Sequence, residues 1–215
     1  MNLLARLLRT FFHLLYHPFA WTYDLVAWVV SFGRWKDWVR SVTPFLEGTR
    51  ILELGHGPGH LQRILLDLGL LSFGLDESPQ MGRLAHIHLY KSGYTQTRLA
   101  RGLAQALPYA SGSFDTLVST FPTEYIFDPR TLLEARRTLN NGGRLIVLPV
   151  AWITGKNALD HFLSWLFKVT GQAPSDALEV VATRLAQPFE NAGFQVEIRR
   201  VEVRSSLLLF VVARK

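Results

Sequence analysis

Three glycines recur in the stretch "ILELGHGPGH", residues 51–60, behind an apolar run that carries one carboxylate, Glu53. A second carboxylate, Asp76, closes another apolar run about 20 residues beyond Gly55, the spacing at which nucleotide sites of open α/β sheets carry a ribose-binding acid. A backbone without Cβ atoms admits a ligand to main-chain contact. A carboxylate at one strand end can orient a cationic group, and one at the next can accept hydrogen bonds from paired hydroxyls. The chemistry implied is recognition of a small ligand that carries a ribose.

Three ligands meet part of this description. A dinucleotide calls for Gly-x-Gly-x-x-Gly; Gly55 and Gly57 fit, but His60 occupies the third position and no substrate domain follows. A P-loop needs Gly-Lys-Ser/Thr, which is absent. S-adenosylmethionine (SAM) has no phosphate and carries an ammonium group, a carboxylate, a ribose and an adenine. Glu53 can orient its methionine end, directly or through water. The Gly55–Gly59 backbone can pass close to methionine and ribose, and Asp76 can accept from both ribose hydroxyls.

The elements that must position these residues follow from hydrophobic periodicity. From Arg50 onward short strands alternate with helices: strands at 51–54, 71–75, within 96–102, at 116–119 and 144–149, with helices at 60–68, 80–91 and 129–139. Such alternation predicts an α/β fold, a Rossmann-like, mostly parallel sheet with helices on both faces. Residues 151–176 read as a helical insertion with an apolar helix over 157–169, and a further helix is expected at 176–191. "FQVEIRRVEV" and "SSLLLFVVAR" then read as two antiparallel strands. Ahead of this domain, 49–215, residues 1–48 form an N-terminal helical layer. In it Leu3, Leu4, Leu7, Leu8, Phe11 and Phe12 share a helix face opposite Arg6, Arg9 and His13, and four tryptophans, Trp21, Trp28, Trp35 and Trp38, follow.

Four stretches, "ILELGHGPGH", "GLDESPQM", "ALPYASGSFDTLVSTF" and "EARRTLNNGGRLIVL", resemble in order and spacing the successive motifs of class I SAM-dependent methyltransferases. The branch they are most similar to includes the ubiquinone/menaquinone and small-molecule enzymes. The resemblance covers about residues 50–150, and the C-terminal strand pair fits the family's seven-stranded sheet. It implies SAM as cofactor and S-adenosylhomocysteine as product. Position by position, it implies that Glu53, Gly55, His56 and Gly57 line the methionine moiety. Asp76 would bind the ribose with Glu77 beside it, and Met81 would pack on the adenine. Leu103, Ala104 and Gln105 would flank the adenine edge, and Phe121 would stand near the sulfonium and the substrate. Related enzymes close a tyrosine over SAM, a role for which Tyr23 is the candidate. One departure stands out: family members often place Asp where this chain has Leu103.

Methyl transfer asks for alignment of a nucleophile and exclusion of water, and a general base helps when the nucleophile is a hydroxyl. The loop "STFPTEYIFDP" follows the fourth strand at the carboxyl edge, where ligands bind in open α/β sheets. Glu124 could be a base or meet a cationic substrate, or simply pair with an arginine. Tyr125 could orient a nucleophile or a cation, or simply pack. His161, on the inserted helix, is the third catalytic candidate. No metal is expected: His86 and His88, two residues apart on a helix, do not share a face.

Composition bounds the remaining classes. With 48% hydrophobic residues and 19% charged ones the chain is no disordered tail, and 215 residues suffice for one sizeable core. The absence of cysteine rules out thiolate chemistry and fits a reducing compartment. The net charge of +6 is scattered, which leaves nucleic acid unsupported as a partner. No uncharged apolar stretch reaches about 18 residues, and the N-terminus lacks a small-residue cleavage site, so neither a membrane span nor a signal peptide is expected. The basic amphipathic start reads either as a cap on the sheet or as a peripheral membrane contact through residues 1–40. The expectation is a cytoplasmic methyltransferase, working at the inner face of the membrane in the second case, on a hydrophobic, lipid- or quinone-like small molecule. The alternatives are methylation of a soluble metabolite and a non-catalytic SAM-binding protein.

Overall fold

The structure, a computed structural model, describes residue 31, residues 33–153 and residues 174–215, with backbone only for 174–180. The expected helices at 3–17 and 157–169, with Tyr23 and His161, lie outside the described residues.

A short helix α1 (Trp35–Arg40) and a 3-10 turn (Thr43–Phe45) lead into β1 (Arg50–Leu54). There follow α2 (His60–Asp67), β2 (Leu71–Asp76), α3 (Pro79–Lys91), β3 (Leu99–Arg101) and β4 (Phe114–Thr120). A 3-10 turn (Glu124–Phe127), α4 (Pro129–Thr138), β5 (Leu139–Ile153), α5 (Pro174–Asn191), β6 (Gln195–Glu202) and β7 (Ser206–Arg214) complete the order. The strands form one seven-stranded sheet in the order β3-β2-β1-β4-β5-β7-β6. The pairs from β3 to β5 are parallel, and β7 is antiparallel to both β5 and β6. The strand order reverses at β1, so β1 and β4 diverge at their carboxyl ends, where a crevice opens in such sheets.

Alternation along the strands builds two cores. Leu52, Leu54, Leu117, Leu145 and Val211 point to the face covered by α4 and α5, with Phe114, Leu132 and Phe189. Ile51, Val118, Ile146, Leu148 and Phe210 point to the other, under Trp38, Val39, Leu61 and Leu65 of α1 and α2. Glu53 shares the face of Ile51, beneath α2.

The sequence marks the helix starts. Asp128 caps α4 by accepting from the Arg130 N–H at 2.9 Å, ahead of Pro129. Ser78 caps α3 by accepting from the Met81 N–H at 3.3 Å, with Pro79 next.

The strand expected at 144–149 is far longer, from Leu139 to Ile153. Two irregularities hid it. The ladder with β4 steps from Phe114↔Leu139 to Thr116↔Arg144, so Asn140–Gly143 bulge out of it. Against β7 the register steps from Val147↔Val211 to Val150↔Leu209, and the extra residue falls at Leu148-Pro149, where proline has no N–H to pair.

Candidate functional site

The turn 55–59 is tied to β2. The Gly55 N–H donates to the Leu75 carbonyl at 2.8 Å, and the His56 N–H reaches the same oxygen at 3.3 Å. Gly55 has φ of 70° and Gly57 of 51°, a region that favours glycine. A Cβ on Gly55 would lie 2.5 Å from the Tyr125 hydroxyl, whereas one on Gly57 would meet nothing within 4 Å. Gly55 is therefore bare for a neighbour already present, and Gly57 stands under open space.

Asp76 completes the turn from the next strand. Its Oδ2 accepts from the Gly57 N–H at 2.8 Å and its Oδ1 from the Ser78 N–H at 2.8 Å. Each oxygen retains a lone pair, so the carboxylate can still accept two hydroxyls. Glu53 is 2% exposed and accepts from Gln62 Nε2 at 2.8 Å. Burial pushes its carboxyl well above the usual range; the Gln62 bond opposes this, and the negative charge of Asp76 adds to it. Burial likewise lowers the His56 imidazole, against the pull of Asp76 and of the Gly57 carbonyl 2.7 Å from Nδ1.

Glu53, Gly55, His56 and Gly57 line one cavity with Trp35, Val39, His60, Leu61 and Thr120. Behind Trp35 packs Phe121, whose ring lies 4.5 Å from that of Trp35 and 5.9 Å from that of Trp38. Phe121 adopts φ of 50°, rare for a bulky residue, while its N–H donates to the Leu148 carbonyl at 2.7 Å. A second depression is lined by Glu77, Arg101, Gly102 and Leu103, with Leu103 49% exposed and the Arg101 guanidinium bound to the Glu77 carbonyl at 3.1 Å.

The other expected residues fall as follows. Met81, expected to pack on the adenine, is wholly buried in the first turn of α3. Ala104 is buried, and the Gln105 amide lies 3.4 Å from Asp128. The Tyr125 hydroxyl is engaged within the protein. It lies 2.9 Å from the Leu54 carbonyl and 2.9 Å from Ser119 Oγ, which itself donates to Leu54 at 2.8 Å. This triangle joins β1, β4 and the 3-10 turn beneath Gly55. Glu124 is exposed at the start of that turn. Among the described residues no group of three or more His, Cys, Asp or Glu could hold a metal.

Trp35, His60, Thr120 and Gln62 were not singled out from sequence. Trp35 was one tryptophan among several. Gln62 carried the better signal: a polar side chain beside Leu61 and Leu65 on the inward face of α2, beside a strand that contains Glu53.

Comparison with known proteins shows the family. Residues 52–147 match a family model described as a methyltransferase domain. The demethylmenaquinone methyltransferase of Thermotoga maritima is 30% identical over 173 residues, 75% of this chain and 73% of that protein. The demethylmenaquinone methyltransferase of Symbiobacterium thermophilum is 32% identical over 62% of this chain, and the ubiquinone biosynthesis O-methyltransferase of Idiomarina loihiensis 25% identical over 62%. The chain spans 57% and 58% of the length of those two relatives. Among solved structures, a SAM-dependent methyltransferase from Aquifex aeolicus superposes with a TM-score of 0.59 at 19% identity, over 84% of this chain and 92% of that one.

Proposed function

The chain belongs to the class I SAM-dependent methyltransferase family, and from that premise we propose that it binds SAM at the carboxyl ends of β1 and β2 and methylates a hydrophobic, lipid- or quinone-like small molecule. The observation that carries the reading is the Asp76 carboxylate. It is fixed by the Gly57 and Ser78 N–H groups with lone pairs to spare, at one rim of a turn whose other side is lined by Glu53. Asp76 accepts the ribose hydroxyls, the turn gives the main-chain approach and Glu53 orients the amino group. When bound, SAM supplies a methyl group on a sulfonium, already activated for displacement. The protein's part is alignment and exclusion of water. Trp35, backed by Phe121, supplies an apolar wall for the acceptor. Tyr125 acts by holding the turn, and a general base would come from Glu124 or from His161.

The preference for a quinone-like acceptor is supported by the aromatic wall and by the names of the relatives at 25–32% identity. The basic amphipathic sequence of residues 1–40 supports contact with the cytoplasmic membrane face. Among the described residues no helix is long and apolar enough to cross a membrane.

The test is calorimetric titration with SAM and S-adenosylhomocysteine. Saturable binding, weakened by about 1–3 kcal/mol in Asp76→Ala, is expected; no binding at millimolar ligand would sink the reading. Incubation with labelled SAM and a cell extract then reads the acceptor. Label in the organic phase is expected, and label confined to the aqueous phase would replace the hydrophobic acceptor with a soluble one.

A further inference from the structure

Behind Glu53 stands a chain of buried polar groups that the proposed reaction has not yet used. Glu53, Gln62 and Ser72 are 2%, 1% and 2% exposed. Gln62 Nε2 donates one proton to Glu53 Oε2 at 2.8 Å and the other to the Phe73 carbonyl at 3.0 Å. Gln62 Oε1 accepts from the Ser72 hydroxyl at 2.6 Å. The Phe73 carbonyl and the carboxylate set the amide's orientation: turned over, its oxygen would face two acceptors.

A glutamine at an inward position of α2, beside Leu61 and Leu65, is costly to desolvate unless every polar atom finds a partner. A leucine there would join the core at no such cost. The three bonds meet that requirement, and the chain they form ends on Glu53, a carboxylate that lines the cavity.

We infer that Gln62 is a positioning residue for cofactor binding: anchored by Ser72 and the β2 backbone, it holds Oε2 of Glu53 and leaves Oε1 to meet the amino group of the ligand. The inference rests on the reading of this cavity as a SAM site. Gln62 also donates to the carboxylate in a place where burial works against its charge, so the same bond that sets its direction favours the ionised form that an ammonium group needs. Ser72 lies one layer further out: it does not line the cavity, and its hydroxyl is bound to Gln62.

A double-mutant cycle on SAM affinity tests this, by calorimetry on the full chain. Gln62→Leu is expected to weaken SAM binding about ten- to a hundredfold, the loss of a hydrogen bond to a charged group. Ser72→Ala is expected to weaken it less, in the same direction. In a Glu53→Gln background either substitution is expected to change affinity by under about twofold, because the group through which it acts is already altered. Equal weakening in both backgrounds would mean that Gln62 only supports packing and would overturn the inference, as would a Gln62→Leu protein with unchanged affinity. Should Gln62→Leu not fold, Ser72→Ala in the same cycle carries the test. A wild-type chain that does not bind SAM at all overturns the underlying reading instead.

Discussion

Glu53 and Gly55, two residues apart at the end of β1, answer to different demands. The carboxyl of Glu53 is raised by burial, so between its usual value of 4.5 and its raised one the native state keeps a proton that the unfolded chain has released. The stability that this proton confers is fully present below that lower value and is lost as pH climbs through the upper one. Thermal melts of the ligand-free protein across pH should therefore show a decline that Glu53→Gln abolishes, leaving the variant the more stable protein at neutral pH and above. The same variant should bind SAM poorly, a trade of function against stability; a variant with an unchanged pH profile would show that Glu53 is already ionised when the site is empty. Gly55→Ala should cost at least about 1–2 kcal/mol in urea unfolding for its left-handed backbone, and more for the 2.5 Å approach to the Tyr125 hydroxyl. Combining it with Tyr125→Phe should cost less than the sum, since the phenylalanine removes the atom in the way. At this scale the sequence displayed much: Glu53, Gly55, Gly57 and Asp76 do meet at one turn. It did not display that Tyr125 would spend its hydroxyl beneath Gly55, because a contact between positions 54 and 125 has no periodicity to announce it.

The loop between β3 and β4, which carries Leu103 and Gln105, has no regular structure and is held by α4. Arg137 donates to the carbonyls of Tyr109 at 2.8 Å and Leu107 at 3.1 Å, and Glu134 accepts from the Leu107 N–H at 2.8 Å. The two side chains also pair with each other at 2.7 Å. Arg137→Ala should destabilise by about 1–3 kcal/mol, with the lower end favoured because the guanidinium is partly exposed. It should also speed hydrogen exchange at the Leu107 amide, and unchanged exchange there would show that the clamp does not hold the loop. The element pattern was legible where periodicity is clean: α3, β2 and the β6–β7 pair lie within a few residues of their expected bounds. It failed at β5. "NNGG" reads as a turn in any window, yet here it is extruded from a strand that continues, with Asn140 Nδ2 held 2.5 Å from Asp115. Asp115 is exposed to two opposing influences. Burial raises its carboxyl, but the N–H groups of Arg50 and Thr49 and the Asn140 amide bring it below its usual range. That carboxylate joins β1, β4 and the bulge at the amino edge of the sheet, opposite the edge that carries the Gly55–Gly59 turn.

For the molecule as a whole, occupancy of the site should register as global stability. SAM at about 100 times its dissociation constant should contribute about 2.7 kcal/mol. For a chain of this size that is a rise of roughly 5–10 °C in the melting midpoint. Asp76→Ala should show a much smaller rise at the same ligand concentration; an equal one would place the ligand elsewhere. The architecture was legible from the alternation of strands and helices together with the four ordered motifs. The acceptor was not, since apolar walls select for grease rather than for a particular molecule.

The two rims of the sheet have a consequence for crowding. One rim is β3, three residues long, and the other is β6, whose exposed positions include Glu197, Arg199, Arg200 and Glu202. A second copy offered either rim as a template would find too few main-chain groups on one and a row of mixed charges on the other. Folded copies meeting at high concentration thus have little to pair along either rim.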